Sequence, residues 1–115
     1  MKAIWIVACL AGALACGGDD ADSEQTGETC DDAPSFDEVT AFSEVCTSCH
    51  DSSLGFESRN GAPFNYDFDV YETARGEAEE IALAVEQGYM PPPGYSISEA
   101  QKAQVISWAE CGAPE

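Results

Sequence analysis

Residues 43–51 read SEVCTSCHD and bring Cys46, Cys49 and His50 together; His50 is the only histidine in the chain. On a helix these three fall at i, i+3 and i+4 and face one way. Three uses suit such a cluster: a zinc site, a thiol–disulfide exchange pair, or covalent attachment of a haem. Haem attachment needs this spacing, because two thiols must reach two vinyl groups on one macrocycle edge while the imidazole approaches the iron. An exchange site of the thioredoxin type belongs to a βαβ fold. A zinc site would need a fourth ligand from Cys30 or Cys111.

Compartment bears on the choice. The chain opens MKAIWIVACLAGALACGGDD, with one lysine, an apolar run from Ala3 to Ala15 and small residues after it. That is the pattern of a secretory signal, with an apolar segment too short to span a bilayer. Ala13-Leu14-Ala15 fits ordinary cleavage. The run ALAC followed by GG also resembles a bacterial lipobox, in which Cys16 would become the lipidated first residue; lipoboxes usually carry Leu where this chain has Ala13. With Cys9 in the leader, five of the six cysteines remain. If Cys46 and Cys49 act together and Cys30 pairs with Cys111, Cys16 is left over, and lipidation removes a reactive exported thiol. The reading is therefore residues 1–15 as signal peptide, an anchor at Cys16, and a location on the periplasmic side of a bacterial membrane. A soluble periplasmic protein is the alternative.

Residues 16–33 are acidic and lack aromatic or branched aliphatic side chains, a composition that cannot offset the entropy of ordering, so a flexible tether is expected. The folded part is then 34–115, small for a self-sufficient core. All 22 acidic residues follow the signal, and losing Lys2 with it takes the net charge from −18 to −19. The three cations left are Arg59, Arg75 and Lys102. Nucleic acid is excluded as a partner, since phosphate binding needs clustered cations. A protein partner with a basic docking face fits the charge, as does a role in solubility alone.

The pattern predicts an all-α domain of three main helices and long loops. Ser35 and Glu38 have capping-box spacing ahead of a stripe from Phe36 to Cys49. A short helix is expected near Val70 to Ala74. Ala78, Ile81, Ala82 and Val85 mark another, stopped at Gly88. The last carries Ser98 and Gln101 at its start, then Val105, Trp108 and Ala109, and ends at Gly112. Between the last two lies YMPPPGY, which three prolines hold extended. Met90, the only methionine beyond the signal, stands in that loop. A thioether held there, 40 residues after His50, suits the second axial site of a haem iron.

With CTSCH ending the first helix, GYMPP in the middle and a closing helix that ends WAECG, the chain resembles the small class I c-type cytochromes over most of residues 34 to 112. The resemblance implies a cytochrome c-like fold around one covalent haem c, bound through Cys46 and Cys49 with His50 and Met90 as axial ligands. It implies single-electron transfer between redox protein partners rather than catalysis. NGAP at 60–63 looks like the family's Gly-Pro loop, which would make the Pro63 carbonyl the acceptor for His50. Cys30 and Cys111 depart from the family pattern and look like a disulfide staple between ends that lie close in this fold. The candidate apolar wall comprises Phe36, Phe42, Phe64, Phe68, Ile81, Val85 and Trp108; Arg59, Tyr66, Tyr89 and Trp108 carry donors for the propionates. Two rival readings stay open: a relay subunit of a larger redox complex, and a five-coordinate haem acting as peroxidase or gas-binding centre.

Overall fold

The computed structural model describes residues 29–115, which are helical and irregular with no strand among them. The expected signal segment 1–15, the expected lipidation site Cys16 and most of the expected tether lie outside these residues. The tether's last part does not run free: Cys30–Asp32 form a 3-10 turn, and Cys30 is disulfide-bonded to Cys111 with a Cα–Cα distance of 5.3 Å. In the chain-entropy model a bridge across 81 positions stabilises the fold by about 4 kcal/mol.

The expected first helix is broken into pieces. A 3-10 turn, Phe36–Glu38, leads into α1, Thr40–Glu44, and a second 3-10 turn spans Cys46–Ser48. The start is the expected capping box, with the Glu38 carboxylate accepting from the Ser35 N–H at 2.8 Å. The break has a local cause. Ser43 donates to the Thr40 carbonyl and Thr47 to the Ser43 carbonyl, contacts that bend a helix by competing for its acceptors.

Three further helices follow: α2, Tyr71–Gly76; α3, Ala78–Glu86; and α4, Glu99–Glu110. Helix α4 begins as expected, for Ser98 Oγ accepts from the Gln101 N–H and Gln101 Oε1 from the Ser98 N–H. Its inner face buries Val105 and Trp108, and it packs on both α3 and α1. Phe36 and Phe42 pack against the Trp108 ring, while Phe68 meets Phe42 from the other side. Trp108 Nε1–H donates to the Pro114 carbonyl at 2.8 Å, so this indole serves the core and not a bound group. Truncating it to alanine would cost about 3–5 kcal/mol. The Phe36 N–H also donates to Pro114, and Tyr71 Oη to Ala113, so both ends of the described chain close on one core.

Candidate functional site

The CTSCH segment reaches its site despite the broken helix. A 3-10 turn eclipses i and i+3, which keeps Cys46 and Cys49 on one side. The His50 N–H donates to the Cys46 carbonyl at 2.9 Å, an α-type bond that brings the imidazole to the same side. Both thiols are free, and burial pushes Cys46 up to about 11, so it is protonated at neutral pH.

A cavity of about 380 Å³ opens beside this segment. Cys46, Cys49, His50 and Met90, the four residues singled out in the sequence, all line it. Phe68, Ile81 and Val85 supply expected wall. Phe36, Phe42 and Trp108 instead form the core behind, and Phe64 is 55% exposed. The wall also includes Val45, which belongs to the apolar stripe of the first helical segment, and Ala84, Pro92 and Ile97, which carry no periodic signal that would have marked them.

Met90 is delivered by the end of α3. Gly88 takes φ +79°, and the N–H groups of Tyr89 and Met90 both donate to the Ala84 carbonyl, closing the helix in a Schellman-like turn. The side chain is 40% exposed, so it meets both the cavity and solvent.

His50 is held differently. Its Nδ1 lies 2.9 Å from the Tyr66 carbonyl, and its ring stacks on Phe68 with centroids 4.4 Å apart. That corrects the expectation for Pro63. The Pro63 carbonyl accepts from Arg59 Nη2 at 2.9 Å, and the turn at 60–63 leaves the Tyr66 carbonyl to face the ring. With Nδ1 donating to Tyr66, Nε2 is the ring nitrogen left for the cavity. Burial pushes the imidazole below its ordinary value; the Tyr66 bond opposes this, and the charge of Arg59 adds to it. A neutral ring with a free Nε2 lone pair results.

Arg59 was a propionate candidate on sequence grounds, and the structure gives it another role. It is 1% exposed, and its donors go to four carbonyls: Nε to Ala62, Nη1 to Asp51, and Nη2 to Pro63 and Tyr66. Asp67 Oδ1 lies 2.8 Å from Nη2 off the hydrogen-bonding direction, so the two attract as charges. Tyr66 is committed as well, its hydroxyl donating to Glu80 at 2.9 Å. That bond and the charge of Glu77 push the phenol up to about 12. Of the sequence candidates only Tyr89 keeps a free hydroxyl, at 71% exposure, while Asn60 and Tyr95 at the cavity add donors that sequence reasoning missed.

The arrangement bears on the three uses. Cys30 and Cys111, either of which a zinc site would have needed, are consumed by their own bridge. Among the described residues no group of three or more His, Cys, Asp or Glu side chains is placed to hold a metal ion, and there is no strand to form a βαβ exchange fold. The cavity itself is apolar and presents two thiols, one neutral imidazole nitrogen and one thioether, a donor set whose residue types would fit a haem. Comparison with protein-family models, curated proteins and solved structures returned no match.

Proposed function

We propose that this chain is a small electron-transfer protein of the class I c-type cytochrome kind, carrying one covalent haem c in a cytochrome c-like fold. The observation that carries the reading is the meeting of Cys46, Cys49, His50 and Met90 in one apolar cavity, although 40 residues separate the histidine from the methionine. When bound, the haem would supply a one-electron ferric/ferrous couple. Cys46 and Cys49 would form the two thioether links. His50 Nε2 would be the nitrogen ligand, with the Tyr66 carbonyl setting its tautomer and orientation. Met90 would be the sulfur ligand, a soft donor that favours the ferrous state. Phe68, Ile81 and Val85 would exclude water.

The test is the visible spectrum of the exported chain made with a c-type maturation system. Haem should remain with the polypeptide through acid–organic extraction, and carbon monoxide should leave the reduced spectrum unchanged. Haem that extracts freely would sink the reading.

The proposal extends to placement and partner. A lipid on Cys16 would hold the domain at the periplasmic side of a bacterial membrane, and mass analysis of the mature N-terminus tests this. With charge near −19 after signal removal, the reaction partner would present a basic face. Electron transfer from a basic donor should then slow as salt rises, and from an acidic donor should quicken. A rate indifferent to salt with both donors would remove the charge from recognition.

A further inference from the structure

The Tyr66 carbonyl accepts twice, from His50 Nδ1 at 2.9 Å and from Arg59 Nη2 at 3.3 Å. A guanidinium donating to a carbonyl draws density from it and makes it a poorer acceptor for a second donor. The strength of the Nδ1–H bond sets how basic the ring is as a ligand. Arg59 is also nearly fully buried, so its charge acts at close range in a low dielectric, with Asp67 as the facing countercharge.

We propose that Arg59 is a positioning residue that raises the reduction potential of the site. It competes with His50 for the Tyr66 carbonyl and sets a buried positive charge behind the proximal ring, with Asp67 moderating that charge. The inference rests on the haem reading above and goes beyond it. With haem bound, the redox step would move one electron from the partner onto ferric iron and give ferrous iron, with no bond broken and no proton moved. Both effects of Arg59 have one sign: a less basic imidazole and a nearby cation each disfavour the more positive ferric state. Asp67 pulls the other way. Geometry also separates Arg59 from a mere loop clamp. A clamp needs only the Asp51, Ala62 and Pro63 carbonyls, whereas the Nη2 bond to Tyr66 falls on the atom that holds the ring.

The experiment compares Arg59→Gln and Asp67→Asn with the parent, each as the full chain carrying covalent haem. Potentials are measured by spectroelectrochemistry, and the His50 Nδ1–H resonance is read by NMR in the ferrous state. Arg59→Gln should lower the potential by roughly tenfold in the ferric/ferrous equilibrium, about 59 mV for one electron. Its Nδ1–H resonance should move downfield as Tyr66 becomes a better acceptor. Asp67→Asn should raise the potential by a similar factor. Opposite signs support the inference. Shifts of the same sign, or no shift, overturn it and leave Arg59 a structural clamp. If Arg59→Gln does not fold, Asp67→Asn decides alone, since it keeps all four carbonyl bonds of Arg59. A parent chain without covalent haem sinks the site reading and this inference together; haem in place with unmoved potentials sinks the inference alone.

Discussion

The two walls that bring His50 and Met90 to the cavity are built by opposite means. On the histidine side, Arg59 gathers four carbonyls across Asp51 to Tyr66, the Phe68 N–H donates to the His50 carbonyl at 2.7 Å, and the Asp69 carboxylate accepts from Ser52 N–H and Oγ. On the methionine side, residues 89–95 have two N–H bonds to Ala84, one turn bond from Tyr95 to Pro92, and three prolines. Tyr89, Met90 and Tyr95 there are all exposed. One wall is stiff because many groups hold it; the other is stiff because proline leaves its backbone few conformations. The histidine is thus fixed by bonds from several segments, whereas the methionine rests on a stretch held by few hydrogen bonds and by proline's fixed backbone angle.

The contrast can be broken most severely at Arg59. Removing the side chain in Arg59→Ala leaves Asp67 without its countercharge and takes the guanidinium from four carbonyls, and should cost about 3–5 kcal/mol. Urea unfolding of the haem-loaded chain measures it, and a loss below about 1 kcal/mol would show the histidine wall to be no better held than the other.

Met90→Ala sharpens the contrast from the other side. Because the residue is 40% exposed, its removal should cost little packing, and on the proposed haem reading it would free a coordination position. Carbon monoxide should then bind the reduced protein, and the potential should fall with the loss of the soft ligand. An unchanged spectrum with carbon monoxide would mean that another group ligates.

The smallest expected effect lies at the rim of the histidine wall. Burial works to raise the Asp69 carboxyl, but the Ser52 hydrogen bonds outweigh it and hold the group below its ordinary value. Its stabilisation is therefore complete above the usual carboxylate range, and is lost as pH falls through the lowered folded value. Asp69→Ala should destabilise by less than about 1 kcal/mol at neutral pH, since the group is exposed. The gap between variant and parent should close in acid, as denaturation curves at several pH values would reveal.

Much of this could be read in advance because it is local. Capping boxes at Ser35 and Ser98, stops at Gly88 and Gly112, and the face carrying Ile81 and Val85 all depend on neighbours within a few positions. The apolar stripe of the first helix is periodic and predicts a continuous helix; the Ser43 and Thr47 hydroxyls that bend it carry no periodic mark. The resemblance of NGAP to the family's Gly-Pro loop points to Pro63 as the acceptor for His50, yet which carbonyl turns to the ring is decided by how residues 59–66 fold. Arg59 was hardest to read. Its partners are mostly backbone carbonyls, which every residue owns, so nothing in the side chains around it foretells the cluster.

The bond between Cys30 and Cys111 turns the intervening chain into a covalent ring. A protease cutting once inside that ring, at exposed positions such as Glu57 or Gly94, adds one water and releases no fragment. The two new ends stay tethered beside each other, so a nicked molecule can keep its fold. On a gel without reductant it should run as a single species, and only reduction should part it in two. Damage that would discard a linear chain of this size would leave a ring in service.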